Sequence, residues 1–258
     1  MPNSVGDGIN LERAKMRLVV VTRRSIRNIV LLLVAALTVM SLSVLTHERR
    51  VTTDDGIAMI RKGPGNRQVI ALTFDDGPHP VYTPMILQLL ERYDARATFF
   101  VVGKRVEEYP QVTMAIVEKG HQVGQHTYSH PRLTRISAED LLLEIEKSEE
   151  VLANACGIRP RIFRPPFGFI GPDAARVLVD RGYSIVLWEE ALDTYDWMGA
   201  SPSRISKRIG DGAHAGGIIV MHDGWGDRSN TIEALQGILE NLTERGYKFV
   251  TIDDMLSN

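Results

Sequence analysis

The stretch VIALTFDDG, residues 69–77, joins an unbroken apolar run to two carboxylates and a glycine. An apolar run without polar alternation is typical of a strand that is covered on both faces of a parallel sheet. The Asp-Asp-Gly that follows predicts a tight turn that exposes both carboxylates. Six further short apolar runs occur along the chain: ATFFVV (97–102), HQVG (121–124), RIF (161–163), SIVLW (184–188), GIIVM (217–221) and KFVTI (248–252).

Helical patterns separate these runs. They cover 83–92, 110–119, Ser137 to about Gly157, Pro172 to Gly182, 203–210 and 230–245. Strands that alternate with helices indicate an α/β fold with a parallel sheet. About seven such units in roughly 190 residues suit a closed or nearly closed barrel better than an open sheet.

The N-terminal fifty residues differ from the rest in charge. The chain holds 30 Lys or Arg and 32 Asp or Glu, and residues 1–50 contain 8 and 3 of these. Within them, IVLLLVAALTVMSLSVL (29–45) is uncharged and follows a basic segment, which predicts either an uncleaved signal-anchor or a cleaved signal peptide. The basic front favours a cytoplasmic N-terminus with the folded domain outside.

We therefore expect four segments in the chain. They are a basic cytoplasmic N-terminus (1–28), a transmembrane signal-anchor or signal peptide (29–45), a linker (46–65) and a globular domain (66–258). The protein would be a single-pass protein of the cell membrane with an extracytoplasmic domain, or a secreted protein if the apolar segment is cleaved.

Composition excludes several kinds of partner. Because the basic residues concentrate at the N-terminus, the remainder is acidic, and we expect no nucleic-acid binding. The single cysteine, Cys156, excludes an internal disulfide and any cysteine-based zinc cluster. No protein partner can be inferred from the sequence.

Ionisable residues follow five of the predicted strands. Since the carboxyl ends of parallel strands form one rim, we expect these residues to converge there. They are Asp75 and Asp76, His126, Arg164, Asp193 and Asp196, and His222 with Asp223.

Asp76, His126 and His130 have the composition of a divalent metal site. Two adjacent carboxylates repel each other unless a cation or hydrogen-bond donors stabilise them. His126 and His130 are four residues apart, so both rings can face one point. Two imidazoles and a carboxylate suit a first-row divalent ion with positions open for water and substrate. The alternatives are an Asp-rich turn and two structural histidines.

The remaining motifs supply candidates for positioning, binding and proton transfer. Arg164 could orient a neighbouring carboxylate, although a surface ion pair is its ordinary use. Trp197 could pack against a sugar ring, or belong to the core. His222 at a strand end could act as a general acid or base near neutral pH.

Five motifs in this order resemble those of the polysaccharide deacetylase family, whose NodB-type domain defines carbohydrate esterase family 4. The resemblance covers roughly residues 66–256, and the predicted domain would be 66–258. The family fold is a distorted (β/α) barrel, which agrees with the strand count of about seven. The motifs are TFDDGP (73–78), HTYSHP (126–131), RPPFG (164–168), DTYDW (193–197) and IVMHDG (219–224).

The resemblance implies a role for each motif residue. Asp75 would be the general base and His222 the general acid. Arg164 would orient Asp75, and Asp196 would tune His222. The implied metal ligands are Asp76, His126 and His130, and the implied substrate-binding residues are Pro166, Phe167, Trp197 and Ile219, with the Phe167 backbone at the oxyanion and Trp197 and Ile219 at the acetyl methyl group.

The implied activity is hydrolysis of N-acetyl groups from an N-acetylglucosamine polysaccharide, with peptidoglycan as the first choice. The implied cofactor is one divalent ion, zinc before cobalt, nickel or manganese. Chitooligosaccharide, an exopolysaccharide or O-acetyl xylan are the alternative substrates. Two other classes stay open, a catalytically inactive glycan-binding module and an iron-dependent oxygenase with two histidines and a carboxylate.

One segment departs from the family pattern. Relatives usually have fewer residues between the strand tryptophan and the first motif aspartate than Trp188-Glu-Glu-Ala-Leu-Asp193 contains. The position of Asp193 and the pose of Trp197 therefore depend on how the longer segment folds.

Overall fold

A computed structural model describes residues 51–52 and 57–257. Nine strands are described: β1 (Val51–Thr52), β2 (Ala58–Ile60), β3 (Val69–Asp75), β4 (Ala97–Val101), β5 (Gln122–Gln125), β6 (Ile162–Phe163), β7 (Ser184–Val186), β8 (Ile218–His222) and β9 (Lys248–Phe249). Eight α-helices lie between and after them: α1 (Tyr82–Arg92), α2 (Gly103–Glu108), α3 (Pro110–Glu118), α4 (Ala138–Cys156), α5 (Pro172–Asp180), α6 (Pro202–Gly212), α7 (Ser229–Glu244) and α8 (Ile252–Leu256).

Seven parallel strands form a half-barrel, in the order β2-β7-β6-β5-β4-β3-β8. The strand β1 pairs antiparallel with β2 at one edge, and β9 pairs with the first residues of β3. The predicted α/β architecture with a parallel sheet is therefore confirmed. All seven residues of β3 are buried, as the unbroken apolar run predicted.

Local signals account for the ends of several helices. The Ser137 side chain accepts a hydrogen bond from the Asp140 amide and begins α4, and Gly157 ends it in a left-handed conformation with φ of 71°. Pro110 and Pro172 stand in the first turn of α3 and α5. These signals explain why the main helices could be read from the sequence.

Two short elements differ from the sequence interpretation. Residues 46–65, predicted as a linker, contain β1 and β2, and β2 pairs in parallel with β7. The sheet therefore begins before residue 66. The strand β2 was not predicted because three residues are too few to produce a recognisable apolar pattern. The six-residue helix α2 was not predicted for the same reason.

The predicted segments 1–28 and 29–45 lie outside the described residues. Among the residues that the structure does describe, no helix combines the length and the apolar character that crossing a bilayer requires.

Alternation along β8 separates two layers of the core. Ile219 and Met221 pack in the cluster that contains Leu235 and Ile238 of α7, whereas Ile218 belongs to a different cluster with β3 residues. Because successive side chains point to opposite faces, residues 218, 220 and 222 share the inner face of the half-barrel. The sheet thereby directs the last residue of β8 towards the carboxyl edge of β3.

Candidate active site

The end of β3 places two carboxylates at the rim of the half-barrel. Asp75 is the last strand residue, and Asp76 follows in a left-handed conformation with φ of 74°. The end of β8 packs directly beside them, since the Asp223 amide donates a 3.1 Å hydrogen bond to the Asp75 carbonyl. A Cβ at Gly224 would lie 2.0 Å from the Asp76 carbonyl oxygen, so this position requires glycine.

Asp76, His126 and His130 converge as the sequence predicted. The Asp76 Oδ1 atom lies 3.5 Å from His126 Nε2 and 3.1 Å from His130 Nε2. All three potential ligand atoms lie within 4.8 Å of one another. Such spacings match ligands that surround one ion at about 2.1 Å, the usual zinc–nitrogen or zinc–oxygen distance.

The chemistry of these groups fits a divalent cation. The Asp76 Oδ1 atom is buried and has no hydrogen-bond partner among the described residues. The imidazole Nδ1 of His126 lies 2.7 Å from the Arg164 carbonyl. An Nδ1–H that donates to this carbonyl leaves the Nε2 lone pair free for a metal.

The electrostatics of Asp76 favour its ionised form. Burial opposes ionisation, but the adjacent imidazoles of His126 and His130 outweigh it and hold the pKa of the Asp76 carboxyl well below its ordinary value. The carboxylate is therefore available as an anionic ligand at neutral pH.

Arg164 orients Asp75, as expected. The guanidinium is fully buried, and its Nη1 donates to Asp75 Oδ1 at 2.8 Å and to Thr73 Oγ1 at 2.7 Å. The Thr73 hydroxyl donates in turn to the Ile219 carbonyl at 2.7 Å. Burial lowers the pKa of Arg164, and the facing Asp75 opposes this effect. The guanidinium thus holds the Oδ1 atom of Asp75 in place and makes no hydrogen bond to its Oδ2 atom.

His222 and Asp196 form a second hydrogen-bonded pair across the cavity. The His222 ring Nδ1 lies 2.7 Å from Asp196 Oδ1, and the His222 amide donates to Oδ2 at 2.9 Å. The Thr231 hydroxyl also donates to Oδ2 at 2.9 Å. Burial disfavours the imidazolium, but the charge and hydrogen bond of Asp196 prevail and raise the pKa of His222 to about 9. His222 is therefore protonated at neutral pH and suited to act as a general acid.

A cavity of about 560 Å³ joins these groups. It is lined by Asp75, Asp76, His126, His130, Arg132, Phe167, Gly168, Phe169, Trp188, Asp193, Trp197, His222, Trp225 and Arg228. Four aromatic side chains that line the cavity are exposed: Phe167 at 45%, Phe169 at 66%, Trp197 at 56% and Trp225 at 47%. Exposed aromatic rings beside a polar cavity are suited to the apolar faces of sugars.

Several residues in strained backbone conformations surround the cavity. Non-glycine residues with positive φ cost of order 1–3 kcal/mol each and often mark functional sites. In residues 57–257, six of the seven such residues lie in or beside the cavity: Asp76, Thr127, His130, Phe167, Tyr195 and Trp225.

The structure distributes the four predicted substrate-binding residues unequally. Phe167 and Trp197 line the cavity, and no hydrogen bond from the Phe167 amide to another described residue is found. Pro166 is buried and lines an adjoining depression of about 280 Å³. Ile219 is fully buried in the outer core, so the prediction that it contacts the substrate is wrong. Strand alternation instead places Val220 on the face of His222.

The longer segment before Asp193 folds into one short turn. Residues Glu190–Leu192 make one 3-10 turn whose Leu192 is fully buried. The Trp188 indole donates a 3.1 Å hydrogen bond to Asp193 Oδ2, and Asp193 pairs with Val220 beside β8. Burial raises the pKa of Asp193. The extra residues are thus absorbed in the turn.

Sequence reasoning missed part of the cavity wall. Arg132, Phe169, Trp188, Trp225 and Arg228 line the cavity but were not predicted as site residues. Arg132 directly follows the HTYSHP motif and Trp225 follows IVMHDG, so proximity to a motif was a usable signal. No regular spacing distinguishes them from surface residues.

The arrangement is suited to activating a water molecule beside a cation and then delivering a proton to a leaving group. This chemistry is that of a hydrolase. An iron oxygenase is not favoured, because the scaffold is a parallel α/β half-barrel.

Comparison with known proteins identifies the family. Residues 62–186 match the polysaccharide deacetylase family. A peptidoglycan-N-acetylglucosamine deacetylase of Bacillus cereus is 38% identical over 193 residues, which are 75% of this chain and 90% of that protein. A chitooligosaccharide deacetylase of Azorhizobium caulinodans is 34% identical over 194 residues, covering 70% of this chain and 91% of that protein.

A solved structure shares the fold. The crystal structure of the Bc1960 peptidoglycan N-acetylglucosamine deacetylase superposes with a TM-score of 0.74 at 34% identity, covering 77% of this chain and 92% of that one. The chain therefore belongs to the polysaccharide deacetylase family.

Proposed function

We propose that this protein hydrolyses the N-acetyl groups of N-acetylglucosamine units in peptidoglycan, with one divalent ion, zinc first, as its cofactor. One observation carries the proposal: Asp75, the Asp76-His126-His130 triad and protonated His222 face the same cavity. The names of the relatives support the substrate, because they include peptidoglycan N-acetylglucosamine deacetylases.

The residues of this chain divide the reaction between two sides of the cavity. A divalent ion held by Asp76, His126 and His130 would polarise the acetyl carbonyl and acidify water. Asp75 accepts a proton from the attacking water while Arg164 holds its Oδ1 atom. The water oxygen adds to the acetyl carbon, and the Phe167 amide, which donates to no other described residue, would stabilise the resulting oxyanion.

His222 completes the reaction from the other side. Its protonated ring, held by Asp196, donates a proton to the sugar nitrogen as the carbon–nitrogen bond breaks. The products are acetate and a glucosamine amine. Asp75 has then gained one proton and His222 has lost one, so the return of both groups to their starting states requires no net proton.

The substrate proposal has alternatives of the same chemistry. A chitooligosaccharide deacetylase is among the relatives, so a neutral N-acetylglucosamine oligomer is the second choice. An N-acetylglucosamine exopolysaccharide and O-acetylated xylan would use the same catalytic groups. A catalytically inactive glycan-binding module is disfavoured, because Asp75, Arg164 and His222 are all present and hydrogen-bonded.

The location follows from the proposed substrate and the N-terminal sequence. The apolar residues 29–45 would hold the protein in the cell membrane, with the catalytic domain on the extracytoplasmic side. Cleavage of that segment would release the same domain as a secreted enzyme. Either form would meet the cell wall.

Acetate release by the purified full-length protein tests the proposal. The substrates are purified peptidoglycan and chitopentaose, each with and without a chelator, and zinc is added back to the chelated sample. We expect chelator-sensitive release that zinc restores, and a faster reaction on peptidoglycan. Metal-loaded protein that releases acetate from neither substrate would refute the proposed activity.

A further inference from the structure

Arg132 occupies an unusual position for a surface arginine. Its Cζ atom lies 4.3 Å from the centre of the Phe167 ring, and that ring lies 4.6 Å from the ring of His130. A metal ligand, an aromatic ring and a guanidinium therefore form one layer along the cavity wall.

The contact with Phe167 uses none of the hydrogen-bond donors of the guanidinium. A cation–π contact is an attraction between the charge and the ring, and the N–H groups of Arg132 donate to no described residue. Arg132 is exposed and forms no ion pair with any residue in 57–257. Planar N–H groups of this kind bind carboxylates through two parallel hydrogen bonds.

The cavity continues past Arg132 into the adjoining depression of about 280 Å³. This depression shares Arg132, Phe167 and Phe169 with the main cavity, and one charged side chain, Arg132, is among its lining residues. Its other lining residues are uncharged: Leu133, Thr134 and Pro166, with Phe167 and Phe169. A polymer whose acetylated sugar lies at the metal site would place a neighbouring unit here.

We infer that Arg132 is a specificity-determining residue that binds a carboxylate on the sugar unit next to the one that is deacetylated. The inference rests on the proposed function. In peptidoglycan the neighbouring unit is a muramic acid, whose lactyl ether carries either a free carboxylate or a stem peptide with its own carboxylates. In chitin-type oligomers every unit is neutral. The Arg132 contact would therefore favour peptidoglycan over neutral oligomers.

The chain offers a matched control for this contact. Arg135 lies three residues further along the same segment, is exposed and likewise forms no ion pair in the described residues. It lines neither the cavity nor the depression. A general attraction between a basic surface and an anionic polymer would involve Arg135 as well, whereas a specific contact involves Arg132 alone.

The test compares kcat/KM of the full-length zinc-loaded wild type, Arg132→Gln, Arg132→Lys and Arg135→Gln. The substrates are chitopentaose, glycan strands with free lactyl carboxylates, and strands that keep their stem peptides. We expect Arg132→Gln to lower kcat/KM about tenfold on one or both anionic strands, as expected for a lost charge-assisted contact, and to leave chitopentaose within about twofold. A loss on one anionic strand alone identifies which carboxylate is bound, and a loss on both shows that Arg132 binds either.

The other variants sharpen the result. Arg132→Lys should keep part of the preference, because it retains the charge without the planar donors. Arg135→Gln should leave kcat/KM on all three substrates unchanged. Added salt should reduce the preference of the wild type for the anionic strands over chitopentaose. Equal losses on anionic and neutral substrates in Arg132→Gln, or an unchanged preference, would overturn the inference while leaving the activity intact. A wild type that is inactive on all three substrates would overturn the proposed function and this inference with it.

Discussion

The metal side and the acid side of the cavity satisfy their buried polar groups in different ways. On the metal side, the buried Asp76 Oδ1 atom has no hydrogen-bond partner among the described residues, and two imidazole Nε2 atoms face it. On the acid side, the Asp196 carboxylate accepts three hydrogen bonds, two from His222 and one from Thr231. The metal side thus leaves an anionic oxygen available to a cation, whereas both oxygens of Asp196 accept hydrogen bonds from within the protein.

This difference separates two kinds of dependence. Buried polar groups without partners cost free energy, so the metal side gains from any cation that binds it. The acid side depends on proton occupancy, because the pKa of His222 rests on Asp196. Changes on one side should therefore affect metal content, and changes on the other should affect pH dependence.

Asp76→Ala should have the largest effect. Removing this ligand should abolish stoichiometric metal binding and lower acetate release by about a thousandfold or more, since a Lewis-acidic ion supplies several kcal/mol to the barrier. Elemental analysis of the purified protein and an acetate assay measure both quantities. Full metal content in a folded Asp76→Ala variant would contradict the assigned ligand set.

Asp75→Asn should separate the base from the metal. Loss of a general base costs about a hundred- to ten-thousandfold in kcat, while Asp76, His126 and His130 remain in place to bind metal. The measurement is the same pair of assays, with Asp76→Ala as the metal-free reference. Wild-type activity in Asp75→Asn would remove Asp75 from the mechanism.

Asp196→Asn should change the acid side without altering metal content. We expect kcat to fall about ten- to a hundredfold, and the basic limb of the kcat/KM profile to move towards lower pH. The sign follows from the pKa of His222, which Asp196 helps to raise to about 9. A general acid is lost as pH rises through its pKa, so a weaker partner moves that loss to lower pH. An unchanged basic limb would show that another group is the acid.

The same pair should also contribute to stability in a defined pH range. Since the pKa of His222 is raised from 6.5 to about 9, its contribution is fully present below pH 6.5 and is lost as pH rises through 9. A cation bound at Asp76 would cancel part of that carboxylate's attraction and move the upper limit down. Urea unfolding of wild type and Asp196→Asn at pH 6 and pH 9.5 measures the effect. If the free energies of unfolding of wild type and Asp196→Asn differed equally at both pH values, this stability contribution of His222 would be contradicted.

Ile219→Val should have the smallest effect. Removal of one buried methylene costs about 0.5–1.5 kcal/mol of unfolding free energy, and kcat/KM should stay within about twofold because Ile219 packs in the outer core. Val220→Ala is the matched variant, since residue 220 shares a face with His222. Denaturation and acetate assays distinguish them, and a KM change in Ile219→Val alone would restore Ile219 as a substrate contact.

Much of the fold could be predicted because its signals are local. Unbroken apolar runs such as 69–74 and 217–221 correspond to β3 and β8, and Ser137 and Gly157 bound α4 as capping rules require. The strand β2 and the helix α2 escaped prediction because three or six residues carry too little periodicity. The metal triad was predictable because the carboxyl ends of parallel strands must meet at one edge.

By itself the sequence determined the parallel α/β architecture, the family through its five motifs, and the convergence of Asp76, His126 and His130. These follow from order and periodicity along the chain. Only the tertiary structure decided that Ile219 packs away from the cavity and that Arg132 stacks on Phe167 beside His130. Both depend on which face a side chain occupies after distant segments pack together. The order of residues along the chain does not specify that face.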